Sequence, residues 1–163
     1  MHCQTTRDIP LTTNNIKEVI IMGLDINVTK IAKTMVKTNT NSWEDYEKLI
    51  DELNDIDFEN FDFLAYFRKV NFLFEFFSGS LDENETKAII SKGEIEELID
   101  KCEFVLNNQD KADEILPTCD GFFFGSLDYD DYYFESVENV LQSFKTILEN
   151  YSDDYLYIID FSY

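Results

Sequence analysis

Along the chain, apolar positions switch between the two-residue period of a strand and the three-to-four-residue period of a helix, and the switches mark out the elements. Leu24, Ile26 and Val28 alternate with Asp25, Asn27 and Thr29, which predicts a half-buried strand. Asn39 to Ser42 reads as a loop, and Ser42 with Asp45, or Asn41 with Glu44, caps a helix through about Leu53. That helix places Trp43, Tyr46, Leu49, Ile50 and Leu53 on one face. Asp55 to Asn60 is an acidic connection, and Phe61 to Phe77 is apolar nearly all round, which predicts a central helix broken only by Arg68, Lys69, Asn71 and Glu75. A turn over Ser78 to Glu85 leads to a short strand at Lys87 to Ile90. Ser91 with Glu94 forms a capping box that opens a helix to about Leu106, with Ile95, Leu98, Ile99, Cys102, Val105 and Leu106 inward and Phe104 packing sideways.

The second half continues the alternation. Ala112 to Leu116 is a short helix ended by Pro117, and Phe122 to Phe124 is a buried strand or turn. A long helix runs from about Tyr132 to Tyr151, and Leu156 to Phe161 closes the chain as a strand. Helices interspersed with separated strands predict an α+β fold: a small antiparallel sheet of three or four strands covered by helices, in a single domain over residues 22–163. Nothing in the pattern repeats, and no linker divides it.

Residues 1–21 differ. They are polar, rich in Thr and Asn, and without period, and Met22-Gly23-Leu24-Asp25 follows as a natural start. Lys17-Glu18-Val19 is encodable as a ribosome-binding sequence at a suitable spacing before Met22. The expectation is a translated leader, non-native in the mature protein; a flexible N-terminal arm is the alternative. His2, the only histidine, falls in this segment.

Composition changes the picture chiefly through charge. With 13 Lys and Arg against 34 Asp and Glu the chain carries −21, and dropping residues 1–21 leaves that unchanged because Arg7 and Lys17 cancel Asp8 and Glu18. A folded chain of this length is roughly 39 Å across, so the charge density is about 0.5 per Å, close to the roughly 0.6 per Å of duplex DNA. Such a field repels phosphates and disfavours direct nucleic-acid binding. The 15 Phe and 9 Tyr set the chain apart from disordered acidic tails.

Candidate chemistry is sparse. Without an imidazole outside His2 there is no Ser-His or Cys-His pair and no histidine zinc site. Cys3, Cys102 and Cys119 are odd in number and lack CxxC spacing, so they read as reduced thiols in a cytosol, with Cys102 in the core and Cys119 in a loop. No cofactor is expected. No apolar run approaches the ~20 residues of a membrane span, and no secretion signal is evident. The glycosylation-type triplets at Asn27, Asn84 and Asn150 therefore read as chance. Asp128, Asp130 and Asp131 open like a calcium loop but lack the glycine and glutamate that complete one.

Charge distribution is more informative than any pair. Glu44 to Asp62 holds nine acidic residues and one lysine, and Ala112 to Tyr163 twelve and one. The expected partner-binding residues are Asp128, Tyr129, Asp130, Asp131, Tyr132 and Tyr133, where tyrosine beside carboxylate suits Arg and Lys, with Asp51, Asp55, Asp57 and Glu59 as a second patch. A surface that merely keeps the protein soluble is the plainer account.

Several stretches together resemble a family of small acidic proteins carried by bacteriophages and prophages. They are Met22-Gly23-Leu24-Asp25, YFRKVNFLFEFF (Tyr66 to Phe77), CEFVL (Cys102 to Leu106), ADEILPTCDGFFFGSLDYDDYYFE (Ala112 to Glu135) and the aromatic C-terminus. The resemblance implies Met22 as the start, a phage or mobile-element origin and a site of action in the host cytoplasm; it brings no catalytic residues. The expected function is an acidic binding protein that inhibits a basic, nucleic-acid-handling host defence protein by mimicking DNA. A carboxylate- and metal-dependent enzyme, or an immunity-type protein that neutralises a basic toxin, are the alternatives.

Overall fold

The structure, a computed structural model, describes residues 23–39, 42–81, 85–121 and 123–163. Expectations on residues 1–21, Met22, His2, Cys3, Asn41, Asn84, Phe122 and the side chain of Trp43 lie outside the described residues. Strand β1 (Asp25–Ala32) is followed by helix α1 (Trp43–Asp55), strand β2 (Asp62–Arg68), helix α2 (Asn71–Ser78), strand β3 (Lys87–Ile90), helix α3 (Lys92–Asn107), the short α4 (Ala112–Ile115), the long α5 (Asp131–Glu149) and strand β4 (Tyr155–Ser162). The four strands form one antiparallel open sheet in the order β2-β1-β4-β3. The α+β architecture expected from the alternating periods is the one observed.

The period-2 pattern splits the sheet into two buried faces. Ile26, Val28, Ile159, Phe161 and Ala88 point into the larger core with Phe72, Phe77, Leu98, Val137 and Phe144 of α2, α3 and α5. Ile31 and Ile158 point the other way and pack with Leu49, Ile50 and Leu53 of α1. The sheet is thus sandwiched between one helix and three, and in β4, where both faces are claimed, Tyr157, Ile158 and Ile159 are buried in succession. Phe144, fully buried, lies 6.2 Å from the ring of Phe67 and 6.4 Å from that of Phe77, tying α5 to β2 and α2. The caps follow the sequence. Ser42 Oγ accepts from Asp45 N at 3.2 Å, and Ser91 and Glu94 complete the capping box, an arrangement worth about 1 kcal/mol per cap.

One element differs from the sequence reading. Phe61 to Phe77 is not a single helix; it is β2, a two-residue junction at Lys69 and Val70, and α2. Its apolar residues are so dense that helix and strand periods both fit. Pairing with β1 decides, placing Ala65 and Phe67 in the core and Tyr66 and Arg68 outside. Lys69, at φ 58°, breaks the chain direction between the two pieces. Smaller corrections follow the same logic. β1 extends to Ala32 because β4 pairs with it along its whole length. Of the two readings for Phe124, a buried turn is the one observed, its N–H donating to Gly121 O at 3.2 Å, and Phe104 stays largely exposed. Among the described residues no helix is long and apolar enough to cross a membrane.

Candidate functional site

Two stretches of unusual backbone meet where β2 ends. Lys69 (φ 58°) and Phe123 (φ 62°) are non-glycine residues in the left-handed region, which costs each about 1–2 kcal/mol. Gly125, at φ 107°, approaches so closely that a Cβ there would lie 2.9 Å from the Lys69 carbonyl oxygen. Only glycine fits that contact. Lys69 is further held by its N–H, which donates to Leu24 O at 2.7 Å. Asn71, nearly fully buried, donates from Nδ2 to Ser126 O at 2.9 Å and so ties the 123–128 loop to the first residue of α2.

Beside this junction lies an open cleft of about 370 Å³, lined among others by Arg68, Lys69, Asp128, Asp130, Tyr132 and Glu135. Two cations from the end of β2 face three carboxylates from the loop and the start of α5. Arg68 is already engaged, 3.6 Å from Asp25, whose carboxylate also accepts the hydroxyl of Tyr66. That hydrogen bond pushes the Tyr66 hydroxyl above the usual phenol range, with burial adding to it.

Of the six residues in the tyrosine-carboxylate segment, the fold separates two roles. Asp130 caps α5, its Oδ1 accepting from Tyr133 N at 3.1 Å. Its carboxylate also complements the positive end of the helix dipole. Tyr133 is only 6% exposed and donates its hydroxyl to Leu116 O at 2.7 Å; burial drives that hydroxyl well above the usual range. Tyr129 stacks edge-on against it at 4.9 Å and accepts from Thr118 N at 3.1 Å. These two tyrosines therefore tie the 116–118 segment to α5, and Tyr133, expected at a partner surface, is inside instead. Tyr132, next along the helix, points outward at 79% exposure. Asp128 and Asp131 are also exposed, Asp128 in the cleft wall.

The second patch is elsewhere. Asp51 and Asp55 are exposed on α1, and Asp57 and Glu59 on the turn that follows it, around Phe58, which is 71% exposed. This patch leads into the start of β2, whereas the cleft lies at its end, so a seven-residue strand, about 20 Å long, separates the two. The sequence reading missed Arg68 and Lys69 as site residues because it placed them on a central helix. The one local signal was a pair of cations in a chain with few.

The two described cysteines gain no reactivity from the fold. Cys102 is fully buried, and burial, with Glu103 and Glu138 nearby, pushes its thiol up to about 12. Cys119 donates from Sγ to Asn71 O at 3.3 Å, and its thiol is pushed up to about 11, first by burial and then by Glu75. Neither forms a thiolate at neutral pH. Among the described residues no three His, Cys, Asp or Glu side chains converge to hold a metal ion. Comparison of the chain with protein-family models, with curated proteins and with solved structures finds no match. The likeness to phage proteins rests on the quoted motifs alone.

Proposed function

We propose that this protein is an acidic binding protein that takes up a basic partner, and that its wider role is that of a phage-encoded inhibitor of a nucleic-acid-handling defence protein in the host cytoplasm. The observation that carries the reading is the disposition of charge. All seven carboxylates singled out from the sequence, Asp51, Asp55, Asp57, Glu59, Asp128, Asp130 and Asp131, are exposed, on a chain of net charge −21. None of the seven is held in an ion pair among the described residues. Unneutralised surface carboxylates at this density steer a basic partner toward the molecule and make the encounter sensitive to salt. The exposed Tyr132 beside Asp128 and Asp131 adds a ring for a guanidinium to stack on.

Immobilised protein, exposed to host lysate at low ionic strength and washed at rising salt, retains a basic protein whose release follows ionic strength. The captured protein is then assayed for duplex DNA binding, and this chain competes with the DNA. Absence of any basic protein at low salt ends the reading; capture without competition against DNA keeps the basic partner and removes DNA mimicry.

A further inference from the structure

The two edges of the sheet are treated differently. At the β3 edge the Ile89 N–H donates to the hydroxyl of Tyr46 at 3.2 Å, so α1 reaches over and occupies it. At the other edge β2 pairs with β1 alone among the described residues. An uncovered edge offers a row of unpaired N–H and C=O groups to an incoming strand. Beside this edge stand three exposed aromatics, Phe58 at 71%, Phe63 at 58% and Tyr66 at 49%. Around them the stretch from Asp51 to Asp62 holds Asp51, Glu52, Asp55, Asp57, Glu59 and Asp62 and no lysine or arginine.

We infer that the β2 edge receives an extended Lys- or Arg-bearing segment of the basic partner, which adds as a fifth strand and lays its cations over Phe58, Phe63 and the Asp55–Asp62 carboxylates. The inference rests on the binding reading above and gives the partner a form. A second copy of this chain fits poorly. It would bring two bodies of −21 together, and the β1–β2 register shifts at Val28/Thr29, leaving Leu64 as an extra residue that bends the edge against long, flat self-pairing. A short strand paired along residues 65–68 avoids the bulge. Its flanking cations then reach the aromatic ledge, where stacking on a ring and pairing with a carboxylate act together.

The test uses the full chain, isotopically labelled for amide exchange, at about 20 mM salt, where surface charges are little screened. The probe is an eight-residue peptide of alternating arginine and valine. Its control is the same peptide with every amide nitrogen methylated, which keeps charge and side chains but donates no backbone hydrogen bond. The unmethylated peptide slows exchange of amides within residues 62–68, and methylation weakens its binding about ten-fold or more. Phe58→Ala and Phe63→Ala, both at exposed positions, each weaken it by about three- to ten-fold. Equal binding of both peptides, with no protection in β2, overturns the edge inference and leaves the charge-based reading standing. Failure of both peptides to bind removes the two together. Concentration-dependent dimerisation with β2 amides protected in the absence of peptide also overturns it, since the edge then serves a second copy.

Discussion

The adjacent tyrosines 132 and 133 separate architecture from recognition, and replacing each by phenylalanine or alanine tests that separation. Tyr133→Phe removes one hydroxyl. The ring keeps its edge contacts with Phe72 at 5.3 Å, Tyr129 at 4.9 Å and Phe134 at 5.1 Å, so no cavity opens. What is lost is the 2.7 Å hydrogen bond to the carbonyl of Leu116, a residue 1% exposed, and that oxygen is left buried without its donor. Stranding a buried acceptor costs about 1–3 kcal/mol; because the phenyl ring still packs, a loss of about 1–2 kcal/mol is expected. In a chain of this size that lowers Tm by roughly 2–8 °C. Urea unfolding followed by far-ultraviolet circular dichroism reads the change as a lower midpoint with an unchanged slope. Tyr132→Ala, at a position 79% exposed, leaves stability within about 0.5 kcal/mol but weakens capture of the basic partner. Should Tyr133→Phe prove as stable as the parent, or Tyr132→Ala bind as well as it, the division of the segment into an inner and an outer tyrosine is wrong.

Three further outcomes are expected. Gly125→Ala forces a side chain into a φ of 107° and 2.9 Å from the Lys69 carbonyl, so it loses about 2–4 kcal/mol in urea unfolding, whereas Gly79→Ala, with nothing within 4 Å, changes stability by no more than about 1 kcal/mol. Asp160 is held above its ordinary 3.8, chiefly by burial and against the opposing pull of Lys87; the folded chain therefore holds this proton more tightly than the unfolded one, and the parent loses stability as pH rises through the window above 3.8. Asp160→Asn lacks that titration, so unfolding curves from pH 3 to 7 show the variant gaining on the parent as pH rises, and a difference that stays flat counts against a half-buried Asp160. Raising sodium chloride from about 50 to 500 mM increases Tm, because screening relieves the self-repulsion of the −21 charge, and a Tm independent of salt contradicts an acidic surface that is largely unneutralised.

Local chemistry by itself determined much of this protein. Ser42 and Ser91 announced their helices because a cap is a contact between residues three apart, and the stripe of α3 and the alternation of β1 each follow from one element's own period. The excess of carboxylates and their two tracts were equally legible, since charge is a sum over residues. What only tertiary structure decided is where several elements compete for one segment. Residues 62–77 satisfied both periods, and the free edge of β1 made half of them a strand, with Lys69 turned into the left-handed region to join the halves. The same physics sorted the tyrosines: Tyr129, Tyr132 and Tyr133 read alike in a line of sequence, but the first turn of α5 rotates Tyr133 onto the Leu116 carbonyl and Tyr132 into solvent. The cleft and the β2 edge, which pairs with β1 alone among the described residues, are properties of packing between residues far apart in the chain, and no local pattern carries them.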